Sequence, residues 1–281
     1  MSTRRLQTIV PSVPVSDGAG VKLRRSLGHS QRLDPFLMLD EFASDNPDDY
    51  IAGFPPHPHR GFETVTYMLA GAFEHRDHLG HTGHLRGGGA QWMSAGRGIV
   101  HSEMPLQDSG RLHGFQFWIN LPAAEKMKPA AYRDIQPEAI PEVAIPGGSV
   151  KVIAGTLDGA GAAPVPGPIQ GLSTAPLFLD VRLAAGQGFA QTVDDGHTAF
   201  LYPYAGSLLV GDDARPLAAR QAGVLSAGER IAVAAGPEGA GFLLLAARPL
   251  GEPVVQYGPF VMNTREEIEQ ALADYRNGTL A

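Results

Sequence analysis

The chain of 281 residues contains no cysteine. Disulfides, thiolate metal sites and cysteine nucleophiles are excluded, so any bound metal must rely on imidazole nitrogens and oxygens. No apolar run approaches the roughly 20 residues needed to cross a bilayer. The first residues, MSTRRLQTIVPSVPV, carry basic side chains but no continuous apolar stretch, so no secretory leader is expected. A cytoplasmic protein without membrane attachment is therefore the default expectation. Positive charge is also scarce, with 22 Lys and Arg against 29 Asp and Glu, a net charge of −7. That balance argues against a general phosphate-binding surface. No helix-turn-helix, zinc-finger or basic-region pattern is present either, so direct nucleic-acid binding is not expected. A charge of −7 is ordinary for solubility.

What the chain does have is apolar material. Its 43% hydrophobic content can fill sizeable cores, and its length fits two domains at roughly 100–200 residues each. The 35 glycines and 23 prolines are scattered among apolar runs, as expected for many turns between short elements. FETVTYMLAGAFEH alternates β-branched and aromatic residues and turns at Ala70-Gly71. LHGFQFWINLP alternates up to Pro122, and FLLLAARPL is a short buried run. Period-two patterns punctuated by glycine predict an all-β sandwich or barrel. One helix is expected near the C-terminus, from the polar cap at Asn263-Thr264, through Ile268, Leu272 and Tyr275 at helical spacing, to a stop at Gly278.

The aperiodic stretch GTLDGAGAAPVPGPIQG divides the chain into an N-terminal domain, 1–155, a linker, 156–171, and a C-terminal domain, 172–281. FPPHPHRGFETVTYMLAGAF can be laid over FAQTVDDGHTAFLYPYAGSL at a constant offset of 135, and Ser94-Ala95-Gly96 over Ser226-Ala227-Gly228 at 132. A duplicated domain is implied. In that alignment His57 meets Thr192, His59 meets Asp194, His101 meets Val233 and Glu103 meets Ala235. The C-terminal copy is thus expected to lack metal ligands.

His57-Pro58-His59 and His101-Ser102-Glu103 carry the chemistry. Residues two apart on a strand share a face, so each triplet offers two donors to one side. Three imidazoles and a carboxylate suit Fe(II), Mn(II), Co(II), Ni(II), Cu(II) or Zn(II) and suit Ca(II) poorly. Glu63, four residues beyond His59, has the same parity if the strand is unbroken, but Arg60-Gly61 can bulge it out of register.

These segments resemble the paired motifs of the cupin superfamily. The first runs from Gly53 through His57, His59 and Glu63 to Gly71, and the second from Gly96 through Gly98 to His101. Within it, HPHRGFETVTYMLAG, QWMSAGRGIVHSEMP, DPFLMLDEF and EPVVQYGPFVMNTREEI resemble the pirin family, across nearly the whole chain. The resemblance implies two cupin barrels (double-stranded β-helix, or jelly-roll) with a short C-terminal helix, and one divalent metal, commonly iron, in the N-terminal barrel. It implies the ligands His57, His59, His101 and Glu103. Many other cupins use the first-motif carboxylate instead, here Glu63. Glu103 is expected as the ligand, with Glu63 a neighbouring or structural acid. Where pirins often read H-x-D-S, this chain reads His75-Arg76-Asp77-His78, followed by His81 and His84. Gly80, Gly83 and Gly87 point to a turn-rich loop of solvated histidines rather than a second metal site.

The resemblance implies quercetin 2,3-dioxygenase activity, in which O2 cleaves a flavonol with release of CO. The expected proton acceptor is Glu103, with Glu63 or water as the alternative. It also implies a second reading, a metal- or redox-dependent regulator that binds a transcription factor or a metabolic enzyme. The sequence identifies no surface for such a partner.

Overall fold

A computed structural model describes residues 1–28, 32–158 and 163–281. It is built almost wholly of antiparallel strands with one α-helix, Arg265–Arg276, among the described residues. Contacts divide the chain into two compact units. One comprises Pro14–Pro137 with Leu250–Ala281, the other Met1–Val13 with Glu138–Pro249. The units interleave in sequence, whereas contiguous halves separated at 156–171 were expected. Pairing explains the difference. Strand Leu6–Pro11 pairs with Gln221–Leu225 in the second unit, and Val261 bonds through its backbone to Arg60 in the first. Within the expected linker, Thr156–Leu157 pairs with Val165–Pro166 and Leu157 is buried in the second unit's core. Residues 159–162 of that stretch lie outside the described residues.

The first unit has two main sheets and a two-stranded ribbon, Val255–Tyr257 with Phe260–Met262. The larger runs in the order Ala131–Ile135, Ala90–Ser94, Phe62–Ala70, Leu112–Asn120, Phe36–Ser44, Val21–Leu27, Val13–Asp17. The smaller runs Phe54–His59, Ile99–Pro105, Ala72–Asp77, Thr82–Arg86. The turn expected at Ala70-Gly71 is present, with Gly71 at φ +83°, a value glycine reaches without a Cβ clash. The segment Leu250–Ala281 belongs to this unit. Its helix starts with a reciprocal cap, in which Glu267 N donates to Thr264 Oγ1 and the Glu267 carboxylate accepts from Thr264 N. Ile268 and Ala271 form its buried face, while Tyr275, expected on that face, is exposed at its side chain and rests its ring against Phe260.

The second unit is a nine-stranded sheet whose interior is filled by apolar side chains, among them Val181, Leu201, Val233, Ala235 and Phe242. Burying each of the larger ones contributes roughly 1.5–3 kcal/mol. The duplication is visible in the strands: Tyr67 and Tyr202 are both fully buried, and Gly71 and Gly206 both take positive φ. The expected pairing of His57 with Thr192 fails, however. Phe189 stands opposite Val233 as His57 stands opposite His101, and Thr192 and Asp194 are exposed. Strand register, not the constant sequence offset, decides equivalence there.

Candidate metal centre

His57 and His101 are cross-strand partners in the smaller sheet. Burial along Ile99–Pro105 alternates, so Ile99, His101 and Glu103 point inward and Val100, Ser102 and Met104 outward. His59 lies two residues beyond His57 and is buried. The three ring centroids are 4.4 to 4.9 Å apart, and one potential ligand atom from each lies within 4.8 Å of the others. Among the described residues this is the group of three or more His and acidic side chains arranged to hold a metal ion.

The ring nitrogens are arranged for that role. Nδ1 of His57 is 2.8 Å from the carbonyl of Pro55 and must donate to it, which leaves the Nε2 lone pair for a ligand. Nδ1 of His101 is engaged by His75, while its buried Nε2 makes no hydrogen bond. Neither nitrogen of buried His59 makes a well-formed hydrogen bond. Orphaned buried nitrogens of this kind are costly unless something satisfies them, and a divalent metal fits. Burial, together with mutual repulsion among the imidazoles, pushes His59 and His101 well below the usual histidine range. They are therefore neutral at physiological pH, the form that coordinates metal.

Glu103 is buried on the same strand face as His101. Its Oε1 accepts from Thr66 Oγ1 at 3.1 Å and its Oε2 from Gln116 Nε2 at 3.0 Å. Trp118 Nε1 donates to Gln116 Oε1 at 3.4 Å, which sets the amide so that its nitrogen faces Glu103. The structure brings Glu103 to the same interior as the three imidazoles, but the compact cluster consists of the imidazoles alone. Glu63 is placed elsewhere. The strand breaks at Arg60-Gly61, and Glu63 lies three residues from Thr66, on the opposite face of Phe62–Ala70. Its carboxylate accepts from Trp92 Nε1 at 3.0 Å and lies 3.4 Å from Lys128 Nζ, and burial raises its pKa.

The pirin sequence profile matches residues 20–119, and the pirin C-terminal cupin domain profile matches residues 178–281. The chain belongs to the pirin family. It is 53% identical over 272 residues to a Pseudomonas aeruginosa protein provisionally named a quercetin 2,3-dioxygenase, covering 95% of each chain. It is 42% identical to human pirin, covering 98% of this chain and 93% of that one. The crystal structure of a quercetin 2,3-dioxygenase from Acinetobacter baumannii superposes with a TM-score of 0.91 at 32% identity, covering 100% of this chain and 99% of that one. The two-cupin architecture expected from the motifs is thereby established.

One expectation is corrected in this pirin. His75 is not a solvated loop residue: it lies on strand Ala72–Asp77, is 2% exposed, and sits with Nε2 2.6 Å from His101 Nδ1. His78, His81 and His84 are exposed, as expected, with His81 Nδ1 against Asp77 Oδ2 at 2.8 Å. The loop itself is only the turn between two strands. Thr66, Gln116, Trp118 and His75 were not singled out as a set from the sequence. The inward alternation of Phe73, His75 and Asp77 was the available signal for His75.

His57 and His59 open onto a cavity of about 860 Å3, a volume within the usual range for small-molecule sites. Its walls include Leu37, Phe42, Phe54 and Trp118, and its polar groups include His57, His59, Gln116, Asp40 and Arg25. Apolar walls with a few polar groups suit a small apolar or aromatic ligand.

Proposed function

We propose that this pirin is a metal-dependent dioxygenase that cleaves a quercetin-type flavonol with O2, its metal held by His57, His59, His101 and Glu103. The observation that carries this reading is the close cluster of His57, His59 and His101, with unsatisfied buried nitrogens on His59 and His101, beside an apolar-walled cavity that His57 and His59 line. The likeness to a quercetin 2,3-dioxygenase over the full chain supports it.

When bound, a divalent metal supplies Lewis acidity and access to O2 chemistry. Iron is the commonest choice in the family, and the donor set also accepts Mn, Ni, Co, Cu or Zn. The protein's own residues do the rest. Leu37, Phe42, Phe54 and Trp118 bind the aromatic rings and exclude water. Gln116 and Thr66 hold the Glu103 carboxylate in place, and Glu103 accepts the proton of the substrate's 3-hydroxyl. Glu63 is dropped from this role, since it faces away from the cluster.

The test is a steady-state assay with quercetin, following loss of flavonol absorbance, on protein loaded separately with Fe, Mn, Ni, Co and Cu. Turnover with at least one metal, lost in His101→Ala together with its metal content, is the expected result. No turnover with any of the five overturns the enzyme reading.

A further inference from the structure

A row of polar side chains crosses the inner face of the larger sheet. Asp134 pairs with Gln91, Gln91 with Thr66, Thr66 with Gln116, Gln116 with Asp40, and Asp40 with Arg25. Each step is one strand, about 4.8 Å. The middle of the row, Thr66 and Gln116, holds Glu103. Its far end, Asp40 and Arg25, lies on the same cavity as His57 and His59.

Asp40 is 3% exposed. Arg25 grips it with two bonds, Nε to Oδ1 at 2.8 Å and Nη2 to Oδ2 at 2.6 Å, and Nη2 also reaches Asp17 at 2.8 Å. A carboxylate offers about four lone-pair sites, so a two-pronged guanidinium leaves acceptor capacity on Asp40. Leu23 flanks Arg25 on one strand, and Met38 and Phe42 flank Asp40 on the next, at the two-residue spacing that keeps them on one face. This end of the cavity therefore pairs apolar walls with acceptors. Two carboxylates against one guanidinium make it unsuited to an anionic substrate.

We infer that Asp40, fixed by Arg25, is the acceptor subsite that selects substrates bearing a further hydroxyl on the aromatic framework, away from the group presented to His57, His59 and His101. The inference rests on the flavonol reading and adds a specificity-determining residue to it. Burial pushes Asp40 up to about 6 against the opposing pull of Arg25. At neutral pH it is a poorly solvated anion, and a hydroxyl donor from the substrate satisfies it. A charge-assisted bond of this kind is worth on the order of tenfold or more in affinity.

The test compares anaerobic binding of quercetin and 3-hydroxyflavone, by quenching of tryptophan fluorescence, to the metal-loaded full chain. Both ligands carry the 3-hydroxyl and 4-carbonyl, and only quercetin carries further hydroxyls. The variants are Asp40→Asn and the double replacement Arg25→Met/Asp40→Leu, which removes the pair together and avoids leaving one buried charge alone. The expected result is at least a tenfold preference for quercetin in the wild type, reduced in Asp40→Asn and abolished in the double variant, with 3-hydroxyflavone affinity and metal content retained. A purely structural salt bridge would move both ligands together. Equal binding of the two flavonols by the wild type, or a preference that survives the double variant, overturns the inference and leaves the flavonol reading standing. Absence of binding for both flavonols overturns that reading and this inference together.

Discussion

Nε2 of His75 lies 2.6 Å from Nδ1 of His101, imidazole to imidazole, across neighbouring antiparallel strands. Only one of the two nitrogens can hold the shared proton. If His101 gives its Nε2 to a metal, its Nδ1 must donate and His75 must accept. His75 then fixes both the tautomer and the ring orientation of His101. Partners of this kind commonly contribute roughly 10- to 100-fold in metal affinity. The prediction is that His75→Phe lowers metal affinity by about that factor, measured by competition with a chromophoric chelator. His84→Ala, at an exposed position against Glu74, should leave it unchanged. Affinity within threefold of wild type in His75→Phe would reduce His75 to packing.

Glu103 is predicted to matter twice, as an anionic donor near the imidazoles and as a proton acceptor. Glu103→Gln keeps the shape and the contact with Thr66 but removes the charge. Turnover should fall by about 10²–10⁴, the usual contribution of a positioned acid or base. Metal content should fall with it. Gln116→Leu removes the amide that contacts both carboxylate oxygens of Glu103. It should lower kcat by about tenfold, the worth of one charge-assisted hydrogen bond, with metal content retained. Metal analysis and steady-state kinetics on the same samples separate the two effects. Full activity in Glu103→Gln would remove it from the proton step.

Arg60, immediately after His59, is predicted to anchor the metal motif to the C-terminal segment. It is 3% exposed. Its Nη1 donates to Asp274 Oδ2 at 2.7 Å, its Nη2 to the Leu280 carbonyl at 3.0 Å, and its Nε to the Arg97 carbonyl. Removing one partner of a buried pair costs about 3–5 kcal/mol. Arg60→Met should lose stability on that scale in urea denaturation. Asp274→Asn should lose less, because Arg60 keeps its bonds to the Leu280 and Arg97 carbonyls and an amide oxygen at 274 can still accept from its Nη1. The glycines on either side of this anchor serve the same contact. A Cβ on Gly98 would meet the Leu280 carbonyl at 2.1 Å, and one on Gly61 the Val261 carbonyl at 2.0 Å. Gly98→Ala should therefore speed hydrogen exchange in the helix Arg265–Arg276. Unchanged protection there would show that the segment docks independently of the motif.

Much of the site was legible because strands impose a period of two. His57 with His59, and His101 with Glu103, share faces for that reason, while the joining of the two pairs into one centre followed from their resemblance to the paired cupin motifs. Local glycine turns were legible too, as at Gly71. Contacts between distant segments were not. Nothing near Arg60 in the chain announces Asp274 or Leu280, more than 200 positions away. The alignment of His57 with Thr192 also failed, because insertions between strands shift offsets without disturbing register. Glu63 shares the parity of His59 only along an unbroken strand, and the break at Arg60-Gly61, which the sequence allows for, turns it to the other face.

Lys126 supplies the pH-dependent prediction. It is 1% exposed, and its Nζ donates to the carbonyls of Gly61 and Val261 and to Asn120 Oδ1. Burial lowers it to about 8, with Glu252 and Glu267 pulling the other way. In the unfolded chain the same lysine titrates near 10.4. Between these values the unfolded state holds a proton that the folded state has released. Stability attributable to Lys126 therefore rises with pH across that window, and the cost of burying the ammonium is fully felt below pH 8. At about 1.4 kcal/mol per pH unit, the gain between pH 8 and 9.5 is about 2 kcal/mol. Lys126→Met lacks this dependence and leaves three acceptors unsatisfied, so it should be less stable than wild type, by a margin that widens as pH rises. Urea denaturation of both proteins at pH 7.5 and 9.5 checks it. A margin that stays constant, or narrows, would mean that the three acceptors hold Lys126 charged throughout.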